Sequence, residues 1–62
     1  MYEKYAELTA KRGVSDYAVS KATGIPASTF TDWKTGRSKP KVDKLIKLAE
    51  YFDVPVTYFL EA

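Results

Sequence analysis

Neither cysteine nor histidine occurs among the 62 residues. Disulfides and the usual zinc sites are therefore excluded. No apolar run approaches the roughly 18 residues that a membrane span needs, and the polar N-terminus does not read as a signal peptide. With neither a metal cluster nor a glycine-rich loop to cradle phosphate, the chain offers no catalytic constellation. The expectation is a non-enzymatic protein with no cofactor and no evident small-molecule substrate. It is read as soluble and cytoplasmic, a setting with which the lack of cysteine is compatible. One domain of this length has only a marginal core, so stability must come from packed helices, alone or with a dimer partner.

Net charge is only +2, but its distribution is uneven. Residues 34–47 carry Lys34, Arg37, Lys39, Lys41, Lys44 and Lys47 against Asp43 alone. Residues 48–62 carry Glu50, Asp53 and Glu61 with no cation. Such an asymmetric field is what a surface meeting a polyanion needs, although a solvated helix face would read the same way.

The few turn residues cut the chain into short helical pieces. Tyr2, Tyr5 and Leu8 recur at helical spacing from Tyr2 to Arg12, with Gly13 as the stop. Ser15 is a good N-cap for a second helix over Asp16 to Thr23, and Asp16 suits its dipole. That helix is expected to bury Val19 and Ala22 and to end at Gly24. Pro26 precedes a third helix, Ala27 to Thr35, which buries Phe30 and Trp33 and turns Ser28, Thr31, Asp32 and Thr35 outward. Trp33 is assigned to the core by its spacing from Phe30. After the loop at Gly36 to Lys39, Pro40 opens a fourth helix with an apolar stripe of Val42, Leu45, Leu48, Ala49 and Phe52. Asp53-Val54-Pro55 breaks it. A short last helix, Val56 to Leu60, offers Phe59 and Leu60 to close the core.

The informative stretch is Ser15 to Gly36: a capped helix, a tight turn at Gly24 and a second short helix, which is the helix-turn-helix pattern. Small Ser20 permits close approach, and Val19, Ile25, Phe30 and Trp33 supply the contacts that lock the pair. With Leu8, Gly13, the run Val19 to Ile25, Ser28-Thr29-Phe30, Trp33 and Gly36, the chain resembles the lambda-repressor-like helix-turn-helix family, also called XRE or Cro-type. Pro40, Leu45, Leu48-Ala49, Phe52, Val54 and Phe59-Leu60 extend the resemblance over nearly the whole sequence.

That resemblance implies an all-α, five-helix domain spanning residues 1–62 whose third helix enters the major groove of double-stranded DNA. It also implies transcriptional regulation, in particular repression in a bacterium or phage, by a homodimer on DNA. Ala27, Ser28, Thr31 and Asp32 fall on the base-reading face, with chemistry suited to several base edges. Ser15, Lys21, Thr35, Arg37, Lys39 and Lys41 are placed to meet phosphates, while Lys44 and Lys47 are read as solvated. Leu8, Val19, Gly24, Ile25, Phe30, Trp33, Gly36, Leu45, Phe52 and Phe59 are structural. Tyr51 and Tyr58 either finish the core or face a partner.

Four departures from the family stand out. Thr9 and Lys34 occupy the places of a frequent arginine–glutamate pair. Asp16 replaces a phosphate-binding glutamine, which is why Ser15 and backbone N–H groups are assigned that contact. Pro26 removes a side-chain cap. A third helix with Asp32 and no arginine is an unusual reader of DNA, and a protein-interaction module that keeps the fold without specific binding is the competing reading.

Overall fold

Each helix boundary has an identifiable local cause. In a computed structural model that describes residues 2–60, the elements are α1 (Tyr2–Arg12), α2 (Asp16–Thr23), α3 (Ala27–Thr35), α4 (Val42–Phe52) and α5 (Thr57–Leu60), with no strand among them. Ser15 caps α2 by accepting a hydrogen bond at Oγ from the Ala18 N–H, 3.1 Å away. The left-handed conformations of Gly24 and Gly36, at φ of 79° and 80°, end α2 and α3. At the second of these, the Arg37 N–H reaches back to the Asp32 carbonyl at 2.8 Å, closing the wide ring that satisfies a helix end.

Two boundaries move. Pro40 does not open the fourth helix: it is buried in the preceding loop, Lys41 takes the extended cap conformation, and α4 begins at Val42. The last helix begins at Thr57 rather than Val56.

The core contains Tyr5, Leu8, Val19, Ile25, Phe30, Trp33, Leu45, Leu48, Ala49, Phe52 and Phe59. Helix α2 packs on both α3 and α4, while α5 packs on α1 and α4. Aromatic rings dominate the centre. Tyr5 lies parallel to Phe30 with centroids 4.8 Å apart, and it also meets Trp33 at 5.4 Å and Phe52 at 6.2 Å. Rings of this size bring most of the apolar area that so short a chain can bury.

Three residues expected inside lie outside. Val42 is 57% exposed and Leu60 55% exposed, and Ala22 is open to solvent. Helical period identifies a face but not how far along it the neighbours reach. Val42 is the first residue of α4, with no helical turn before it. Helix α5 is a single turn, so Phe59 alone turns fully inward. Ala22 lines an open cleft between α2 and α4, beside Thr23, Lys47, Glu50 and Tyr51.

Loss of the family's ion pair leaves no stranded charge, because no polar or charged residue is buried among those described. The Thr9 hydroxyl donates to the Ala6 carbonyl at 2.9 Å, and Lys34 is exposed. A different cation closes the fold: the Arg12 guanidinium donates to the Phe52 carbonyl at 2.5 Å and lies over the Phe52 ring. It thereby satisfies a carbonyl at the negative end of α4.

At that same end Asp53 adopts φ of 57°, the one non-glycine in the left-handed region among the described residues. Its carboxylate also adds negative charge where the helix dipole is already negative. Asp53→Gly should therefore stabilise the domain by about 1 kcal/mol, raising Tm by several degrees. Gly36→Ala should have the opposite effect and similar size. A Cβ there would meet nothing within 4 Å, so its cost is backbone conformation alone. Thermal denaturation of the two variants checks both signs.

Candidate nucleic-acid interface

The turn between α2 and α3 is braced by side chains as well as by glycine. The Ser20 hydroxyl donates to the Ile25 carbonyl at 2.5 Å. Thr23 Oγ1 donates to the Val19 carbonyl at 2.7 Å and accepts from the Ile25 N–H at 3.3 Å. Both backbone groups of Ile25 are thus satisfied locally while its side chain is buried. Ser20 does more than allow close approach, since it fixes the chain where α2 hands over to α3.

A second tie comes from α1. The buried Tyr5 hydroxyl donates to Asp16 Oδ1 at 2.6 Å, joining α1 to the first turn of α2. One side chain of α1 therefore touches both helices of the motif, through the ring to Phe30 and through the hydroxyl to Asp16. Asp16, which would repel a phosphate, has this structural role.

With Phe30 and Trp33 inward, α3 presents its other face to solvent. Ala27, Ser28, Thr31 and Thr35 are exposed and Asp32 is half-exposed. Ser28, Thr31 and Asp32 sit three and four residues apart, as neighbours on one surface require. The Asp32 carboxylate has neither a hydrogen bond nor an ion pair with the described residues, so no lysine neutralises it. Its backbone carbonyl, by contrast, gathers the N–H groups of Arg37 and Ser38 and the Thr35 hydroxyl. The Thr35 proton is therefore directed into the helix end, and Thr35 would have to give up that 3.2 Å bond to donate to a phosphate.

At the other end of α3, Pro26 makes no side-chain cap. The Thr29 N–H turns back to the Pro26 carbonyl at 3.0 Å, and the Ala27 and Ser28 N–H groups, without a side-chain cap, carry the positive end of the helix dipole. Ser15 uses an Oγ lone pair for capping and keeps its own proton free to donate. Lys21, Arg37, Lys39 and Lys41 are all exposed, the last three in the loop that follows α3. Lys21 Nζ lies 5.5 Å from the centre of the Tyr17 ring, and that ring is 67% exposed. Tyr17 was not singled out by sequence reasoning; its spacing from Val19, on the opposite side of a short helix, was the available signal.

The surface so assembled combines short hydrogen-bonding side chains on one helix with cations and open N–H groups around it. Such a surface can hold a phosphate backbone and present polar groups to base edges. A family model described as helix-turn-helix matches residues 5–59. Comparisons with curated proteins and with solved structures give no match.

The Tyr5–Asp16 tie has a pH signature. Burial, and next the bond to Asp16, raise the Tyr5 phenol well above its ordinary 10.0. The folded protein keeps that proton while the unfolded chain releases it, so the contribution is complete below pH 10 and lost as pH rises above it. The loss should be about 1.4 kcal/mol per pH unit. Tyr5→Phe should remove this slope and, at neutral pH, cost on the order of 1 kcal/mol. Urea denaturation of both proteins at pH 7 and from pH 10 upward measures the difference; equal slopes would show that Tyr5 ionises freely in the fold.

Proposed function

Given that the chain belongs to the lambda-repressor-like, XRE-type helix-turn-helix family, whose general function is DNA binding of the transcription-regulator type, we propose that it is a sequence-specific repressor. It places α3 in the major groove and acts in a bacterium or a phage, in the cytoplasm. The observation that carries this reading is the outward face of α3, where Ser28, Thr31 and Asp32 stand beside Ala27 and no described residue bonds the Asp32 carboxylate. Ser and Thr accept or donate to several base edges, Ala touches a thymine methyl, and Asp accepts from cytosine N4.

Around this reading face, Ser15, Lys21, Arg37, Lys39 and Lys41 hold phosphates and so fix register without carrying sequence information. Thr35 joins them only if its hydroxyl turns from the Asp32 carbonyl. One such domain contacts few base pairs, and two copies on half-sites about one helical turn apart would double that number. The expected site is therefore two-fold symmetric and bound by a homodimer.

Arg37 and Lys39 are the test of backbone binding. Replacing both with Ala should weaken binding to all duplexes about equally. The log–log salt slope should fall by roughly 0.9 for each phosphate that is no longer neutralised. The fold should not change, because both side chains are exposed. Filter binding to bulk DNA from low to high salt reads this directly. Unchanged affinity and slope would favour the competing reading, a protein-interaction module on the same scaffold.

Specificity is tested at Asp32. Its carboxylate repels every phosphate, so it acts by discrimination, penalising bases that offer only acceptors. Asp32→Asn should bind non-specific DNA more tightly and change the preferred base at one position per half-site. The shift should be about 1–3 kcal/mol if the side chain touches the base directly. Selection of bound sequences from a random duplex pool, with parent and variant side by side, gives both quantities. Reduced thermal stability with an unaltered base preference would instead make Asp32 a structural residue.

A further inference from the structure

Of the five tyrosines, four serve the core. Tyr5 is buried within it, and Tyr2, Tyr51 and Tyr58 pack against it. Tyr51 and Tyr58, which sequence spacing offered for a partner surface, lie edge-on to Phe52 and Phe59. Tyr17 is the exception. It is 67% exposed, on the side of α2 opposite the buried Val19, and its hydroxyl bonds no described residue. One helical turn further on, Lys21 Nζ lies 5.5 Å from the centre of its ring. A ring left in water contributes little to folding. What Tyr17 offers outward is a rigid side chain with one unused proton at its tip.

Its position gives that proton a use. Tyr17 stands in the first turn of α2, two residues after Ser15, and this end of the helix carries the positive end of the dipole, to which phosphate is drawn. Asp16 lies between the two in sequence, but its carboxylate accepts from Tyr5 on α1, and it is about 100° round the helix from Tyr17. Lys21 sets a positive charge on the Tyr17 side. Attraction between its ammonium and the ring keeps a long, flexible side chain near the phenol. A neutral donor and a cation are thus held together on one exposed face.

We infer that Tyr17 is a DNA-contacting residue, whose hydroxyl donates to a backbone phosphate oxygen and whose ring holds the Lys21 ammonium for a phosphate beside it. The inference rests on the proposed DNA binding and adds to it a contact of a different kind. A lysine or arginine that meets a phosphate releases a counterion, so its contribution fades as salt rises. A neutral phenol releases none. Its hydrogen bond supports affinity at high salt as at low, and on every sequence alike.

The test is the affinity of the 62-residue chain and its variants for several unrelated duplexes, from low to high salt. Tyr17→Phe keeps the ring and removes the proton. It should weaken binding about tenfold at every salt concentration and on every duplex, with the log–log slope unchanged. Lys21→Gln should instead lower the slope by roughly 0.9. Tyr17→Ala should weaken binding more than Tyr17→Phe, and that excess should vanish in a Lys21→Gln background. Circular dichroism confirms that these substitutions of exposed residues leave the helices intact. Parental affinity in Tyr17→Phe overturns the inference and leaves the proposed function standing. A loss confined to one duplex overturns it too, because the hydroxyl would then touch a base edge. An excess that persists without Lys21 overturns the part assigned to the ring. A parent chain that no duplex retains at low salt overturns both the inference and the proposed function.

Discussion

The ring of Tyr5 stacks on Phe30 while its hydroxyl donates to Asp16, so a single side chain of α1 is tied to both helices of the turn motif. A recognition helix reads bases only if its angle and depth are held rigidly, and two helices of eight and nine residues cannot do that by themselves. The rest of the domain supplies the restraint. Trp33 meets the rings of Tyr2, Tyr5 and Phe59, which ties the end of α3 to α1 and α5. At its start, α3 is fixed by the Ser20 and Thr23 hydroxyls, which hold Ile25.

This division of labour explains where polar groups lie. Among the described residues the core holds no charge and no unsatisfied side-chain polar atom. The polar bonds that matter to the fold are at its edge, as with Tyr5 to Asp16 and Arg12 to the Phe52 carbonyl. Charge unneeded for folding is left on the surface, where Arg37, Lys39 and Lys41 follow α3 in one exposed loop. A small domain benefits from this arrangement, since a buried ion pair would cost desolvation that its few apolar residues could hardly offset.

Much of the fold was legible in the sequence, and the reasons are local. Gly13, Ser15, Gly24, Pro26 and Gly36 each impose a conformation that a helix interior rejects or that a helix end requires, so α1, α2 and α3 begin and end where those residues place them. Pro40 was ambiguous, because its fixed φ suits the first turn of a helix and the loop before one equally well. Val42, Ala22 and Leu60 share a side with buried residues, yet period says nothing of whether a neighbouring helix extends far enough to cover them. The outward face of α3 was readable from the spacing of Phe30 and Trp33. The Tyr5–Asp16 bond was not, since no periodicity relates side chains on different helices.

The proposed DNA-contacting face consists of the outward side of α3, the start of α2 and the loop after α3. Amide chemical shifts recorded while a short duplex is titrated into the labelled protein test it most directly. The expected result is a set of perturbations gathered on residues 15–21, 26–32 and 36–41, with α5 and the buried side of α4 little changed. Perturbations centred on α5, or none at all at low salt, would contradict the claim.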